Sequence, residues 1–153
     1  SGQFPEKQIK VIMGTFEPKA IDDSAWDGIL LGDVKAGFPS PAEEVREEFD
    51  LKGMLVRHPA STFYFKVDGF SMVDAGMEDG DIIIVDKSLH PYDGCKAICY
   101  IDGEFTVKHV EICNEEIRLV PMNRSNPRYK TIVVSPEDEF AIWGIVTYVI
   151  KKM

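Results

Sequence analysis

From Ser61 to the C-terminus the chain is a succession of short apolar runs, each broken by a turn, and this pattern restricts the fold more than any other feature. The clearest unit is Cys95–Ile101, then Asp102-Gly103, then Glu104–Val110. An Asp-Gly pair between two such runs signals a tight hairpin, because both residues accept the positive φ of a two-residue turn matched to strand twist. Thr62–Val67 sets Phe63, Phe65 and Val67 on one face, and Asp81–Asp86, Ile117–Pro121, Lys130–Val134 and Ala141–Ile150 read as further strands. The expected fold is mostly β. A chain of 153 residues holds one such core and hardly a second.

One short helix is expected over Pro41–Phe49. Pro41 suits a first helical position, Glu43 and Glu44 suit its positive end, and Val45 and Phe49 share a face. Residues 1–36 differ from the rest: short apolar runs at Ile9–Met13 and Trp26–Leu31 stand between Gly, Pro and Asp, with too little apolar material for a core. They read as an extended arm, whose segments lie on the main body or on a partner. No convincing helix-turn-helix fits there.

Charge and apolar content exclude several functions. Seventeen basic against twenty-six acidic residues give a net charge of −9, a poor match for a phosphate backbone, so autonomous DNA binding is not expected. No apolar run reaches the roughly eighteen residues of a membrane span, and the N-terminus lacks the pattern of a secretory signal. Cys95, Cys99 and Cys113 contain no C-x-x-C, and His58, His90 and His109 show no ligand spacing; the expectation is core packing for Cys95 and Cys99, and no metal. Asp74, Glu78, Asp79, Asp81 and Asp86 read as a polar turn feeding a strand, and Arg124, Arg128 and Lys130 as a solvated loop.

Two residues remain with chemical potential. Lys108 alternates with Val107 and His109 in the hairpin; if the face of Thr106 and Val110 points inward, Lys108 is driven into the body. Desolvation lowers a lysine pKa and turns an inert ammonium into a usable base, whereas on an outer face it stays a solvated cation. Ser71 lies in Asp68-Gly69-Phe70-Ser71-Met72, just after a strand. A glycine-containing turn can present a hydroxyl with backbone N–H groups beside it, and a neutral lysine can activate that hydroxyl. Taken alone, Ser71 reads first as an ordinary surface turn serine, since serine beside glycine is common and no His and Asp or Glu announce a triad with it.

The segments Gly37-Phe38-Pro39-Ser40-Pro41-Ala42, Arg57–Thr62, Gly69-Phe70-Ser71-Met72, Asp79-Gly80-Asp81, Val85-Asp86, Gly103–Lys108 and Pro121-Met122-Asn123 follow one another as in a known family. In order and spacing the chain resembles the UmuD-like members of the LexA-like Ser/Lys self-cleaving peptidases, from Gly37 almost to the C-terminus. The resemblance implies a LexA/signal-peptidase-like β-rich catalytic domain over 37–153, and a flexible N-terminal arm, 1–36, removed by self-cleavage. It places the nucleophile at Ser71, the general base at Lys108, and the oxyanion hole at the Phe70 and Ser71 N–H groups. The scissile bond falls at Ala36–Gly37, with Val34 and Lys35 entering the cleft beside Ala36.

The same resemblance implies an enzyme of the bacterial cytoplasm that needs no cofactor. It also implies a homodimer, cleavage on contact with the RecA–single-stranded-DNA filament, and service of the trimmed form to a Y-family polymerase in translesion synthesis. The alternative is a regulatory interaction protein that binds a repressor or the replication machinery through its arm and dimer surface, with cleavage as a switch. A LexA-type repressor would carry a DNA-binding domain ahead of the cut, and a membrane signal peptidase an anchor. Lys35 is a departure that matters: a long cation beside the scissile residue slows cleavage unless it stays solvated.

Overall fold

The computed structural model describes residues 19–20, 27–39, 41 and 46–153. The chain divides into two compact units, one of Ser1–Ile21 with His58–Met153 and one of Asp22–Arg57.

The larger unit is built on eight antiparallel strands: β1 (Lys19–Ala20), β4 (Thr62–Lys66), β5 (Ile82–Asp86), β6 (Lys96–Ile101), β7 (Glu104–Cys113), β8 (Glu116–Val120), β9 (Ile132–Val133) and β10 (Phe140–Ile150). Their order across the sheet is β1-β4-β5-β10-β6-β7-β8-β9. The mostly β expectation and each of the strands read from the sequence are present, with ends shifted by a residue or a few. Asp102 (φ 46°) and Gly103 (φ 88°) both take the left-handed backbone at the β6–β7 turn, as a two-residue hairpin requires.

Alternation sorts the apolar residues into two clusters. Phe65, Val67, Met72, Met77, Ile83, Val85, Ile98 and Trp143 form one; Ala97, Cys99, Val110, Leu119, Ile142 and Ile145 belong to the other, with Cys95 and Ile101. Trp143 anchors the first, its ring centroid 5.2 Å from Phe65 and nearly perpendicular to it. The expectation for the cysteines holds: Cys95 and Cys99 are core residues, 1% and 0% exposed. The central strand β10 pairs β5 on one side and β6 on the other, and an irregularity between Ile142 and Gly144 lets it change its alignment.

The smaller unit corrects one expectation. Of the helix read over Pro41–Phe49, positions 42–45 lie outside the described residues, but Glu47–Phe49 belong to a strand. This β3 (Glu47–Asp50) pairs antiparallel with β2 (Asp27–Leu30). A helical stripe of two apolar residues is a weak preference, and the backbone hydrogen bonds offered by Asp27–Leu30 override it. The only described α-helix, α1, comes later, at Leu51–Leu55, where the Asp50 side chain accepts a hydrogen bond from the Gly53 N–H at 2.8 Å. No described helix is long and apolar enough to cross a membrane.

Candidate active site

The β4–β5 connection carries Ser71. Its two ends are tied together where the Val67 N–H donates to the Asp81 carbonyl and the Gly80 N–H donates to that of Val67, both at 2.8 Å. Within it, Gly69 takes φ +104°, a conformation that L side chains rarely adopt, and its N–H donates to Asp79 Oδ1 at 2.8 Å. The polar turn read around Asp79 therefore also shapes the loop. Met72 and Met77 are both buried in the core and hold the loop down. Ser71 stands between exposed Phe70 and buried Met72, so its half-buried side chain lies at the boundary of core and solvent.

A second strand-connecting segment braces this turn from outside. The Met122 N–H donates to the Ser71 carbonyl at 2.6 Å, and the Asp74 N–H donates to that of Met122 at 2.6 Å. Asn123 Nδ2 donates to the Phe70 carbonyl at 2.8 Å, and the Arg124 N–H donates to Asp74 Oδ2 at 2.6 Å. Thus Met122 and Asn123, just after β8, bond the Phe70–Ser71 peptide and the Ser71–Met72 peptide that follows it.

Lys108 comes from the middle of β7, opposite Ala97 of β6. Val110, two residues on, is fully buried, so the Thr106/Val110 face does point inward. The half-buried Lys108 Nζ lies 3.1 Å from Ser71 Oγ, 2.7 Å from Thr106 Oγ1 and 3.1 Å from the Val107 carbonyl. Burial pushes its pKa below the ordinary lysine value. The nearby Cys99 thiol, itself pushed up to about 12 by burial, stays neutral and offers no counter-charge. In the neutral amine two N–H groups suffice for Thr106 and Val107, which leaves the lone pair to take the proton of the Ser71 hydroxyl.

Sequence reasoning thus named two residues that the fold brings into contact, and it missed Thr106, Asn123 and Asp79. Thr106 was detectable, since i−2 on a strand shares the face of Lys108. Asn123 and Asp79 had no local signal beyond their place in the quoted segments. His58 Nδ1 meets Asp86 Oδ2 at 2.5 Å, but Ser71 takes no part in that pair; the Ser61 and Ser88 hydroxyls complete it instead. Val34, Lys35, Ala36 and Gly37 all belong to the smaller unit, exposed in the stretch 31–39 that follows β2. A Cβ added at Gly37 would meet nothing within 4 Å, so its own surroundings do not require glycine. Among the described residues no group of three or more His, Cys, Asp and Glu side chains is placed to hold a metal ion.

A hydroxyl set against a half-buried lysine amine, on a β-rich scaffold and apart from any His–Asp pair, defines the class of serine hydrolases that use lysine as base. The Peptidase S24-like pattern matches residues 29–147, and the chain belongs to that family. Similar proteins include SamA of Salmonella typhimurium, 43% identical over 118 residues that cover 76% of this chain and 79% of the relative. MucA of Salmonella typhimurium is 39% identical over 117 residues, 75% and 77% of the two chains. ImpA of Escherichia coli is 39% identical over 132 residues, 86% and 88% of the two chains. The chain is accordingly a self-cleaving serine peptidase of the SOS response.

Proposed function

We propose that Ser71 is the nucleophile and Lys108 the general base of self-cleavage, and that the bond cut is Ala36–Gly37. The observation that carries the assignment is the 3.1 Å contact between Lys108 Nζ and Ser71 Oγ, made by a lysine whose burial favours the neutral amine.

Ser71 Oγ attacks the Ala36 carbonyl carbon while its proton passes to Lys108 Nζ. The Phe70 and Ser71 N–H groups, which have no acceptor among the described residues, donate to the oxyanion that forms. Lys108 then returns the proton to the departing Gly37 nitrogen, leaving Ala36 as an ester on Ser71. A water molecule, deprotonated by Lys108, attacks the ester carbonyl and restores the hydroxyl. A small Ala36 and an unsubstituted Gly37 let an extended backbone approach the serine without side-chain clash. Residues 1–36 form the arm that is released, and 37–153 the domain that persists.

Family membership brings SOS-response protein–protein interactions. The finer reading is a homodimer whose cleavage is triggered by the RecA–single-stranded-DNA filament and whose trimmed form assists a Y-family polymerase. The net charge of −9 supports recruitment through protein contacts rather than direct binding to DNA. Purified full-length chain, incubated with RecA filament and read by intact mass, should yield a large fragment whose N-terminal sequence begins at Gly37. Ser71→Ala, Lys108→Ala and Lys108→Arg should each abolish the cut while circular dichroism shows a folded protein; a folded Lys108→Ala protein cutting at wild-type rate would sink the Ser/Lys assignment. Light scattering should give roughly twice the 17.2 kDa chain mass, and a clean monomer would count against the dimer.

A further inference from the structure

We infer that Asn123 is a positioning residue for the oxyanion hole, acting through the Phe70–Ser71 peptide; the inference rests on the assignment of Ser71 as nucleophile. A trans peptide holds its C=O and N–H in one plane, pointing in opposite directions. Asn123 Nδ2 grips the Phe70 carbonyl at 2.8 Å, and so sets the direction of the Ser71 N–H, which points the opposite way in the same plane. That N–H has no acceptor among the described residues, which leaves it free for a developing oxyanion.

The Asn123 amide is itself held. Its Oδ1 accepts the Ser125 hydroxyl at 2.9 Å, and since a carbonyl can only accept, the nitrogen must be the atom turned to Phe70. The next peptide is fixed from the same segment, where the Met122 N–H donates to the Ser71 carbonyl at 2.6 Å. Asn123 thereby does two things. It fixes an N–H that would otherwise swing with the exposed Phe70, and by donating to the carbonyl it polarises the peptide, making the Ser71 N–H a stronger donor. Neither effect touches Lys108, whose polar contacts are Ser71, Thr106 and Val107.

The test is self-cleavage of the full chain at a series of alkaline pH values in Asn123→Ala and in the isosteric Asn123→Asp, which keeps the shape but replaces the neutral donor by a charged acceptor. Losing one such hydrogen bond should slow the cut about tenfold, less than the roughly 10²–10³ lost with an oxyanion donor itself, and in Asn123→Ala equally at every pH, because Lys108 is untouched there. In Asn123→Ala the Phe70 carbonyl carbon and Ser71 amide nitrogen resonances should both move upfield, the signature of a carbonyl that has lost its donor. If Asn123→Ala fails to fold, Asn123→Asp carries the rate and the resonances together. A wild-type rate in a folded variant, a displaced pH midpoint in Asn123→Ala, or resonances that stay in place in that variant would each overturn the inference. Cleavage persisting in folded Ser71→Ala would instead bring down the nucleophile assignment, so the two failures are distinct.

Discussion

Thr106→Val removes one hydroxyl and keeps the β-branched shape that a strand residue needs. Thr106 Oγ1 is the nearest of the three polar partners of Lys108 Nζ, at 2.7 Å. A neutral hydrogen bond is worth about 1 kcal/mol net and one from a charged donor about 1.5–3 kcal/mol, so the ammonium loses more than the amine when the acceptor goes. The sign follows: the charged form is destabilised further, Lys108 falls further below the 10.5 of a free lysine, and the midpoint of the pH–rate curve moves to lower pH. The neutral amine loses the contact that holds its lone pair toward Ser71. If that loss of about 1 kcal/mol reaches the transition state in full, the alkaline plateau drops roughly fivefold. The two effects oppose each other below the midpoint, where the variant has the larger neutral fraction. The deficit should therefore be greatest on the plateau and shrink as pH falls. First-order self-cleavage rates from intact mass across the alkaline range, with thermal melts at each pH, read both parameters. An upward shift of the midpoint, or an unchanged plateau in a folded variant, refutes this account of how Lys108 is held.

Two further predictions concern stability. Because the folded-state pKa of Lys108 is depressed, the unfolded chain binds more protons between that value and 10.5, and the contribution of this group to stability rises with pH through that window. Lys108→Met should abolish the rise and be more stable than wild type near neutrality, as denaturant titrations at neutral and alkaline pH would show; an unaltered slope would contradict it. Gly144→Ala would place a Cβ 2.6 Å from Val85 Cγ1, a side chain 0% exposed in the core, so something packed must shift. A loss of about 1–3 kcal/mol in a urea titration is expected, and no loss would mean that β10 yields freely at its irregularity.

Much of the larger unit was readable from local pattern. Alternation of apolar residues, the Asp102-Gly103 turn and the burial of Cys95 and Cys99 depend on neighbours in sequence, and strand periodicity reports them directly. The helix expected to reach Phe49 failed for the opposite reason. Its residues had a weak local preference, and a partner strand at Asp27–Leu30, far earlier in the chain, decided their conformation. The helix that did form begins after Asp50, whose capping carboxylate was a legible but unread signal.

At the site the division is sharper. Residue types and the order of the quoted segments singled out Ser71, Lys108 and the Ala36–Gly37 bond, and alternation allowed two orientations for Lys108, buried or solvated. Only tertiary structure chose between them, because which face of β7 is covered depends on Ala97, Cys99 and the other strands packed around it. The brace behind the nucleophile lies further from sequence reasoning still. Asn123 is 53 positions from Phe70 and Lys108 is 37 from Ser71, and no local periodicity carries information across such separations. Those contacts exist because long-range strand pairing brings the segments after β4 and β8 to the middle of β7, so the composition of the site was written in the sequence and its geometry in the fold.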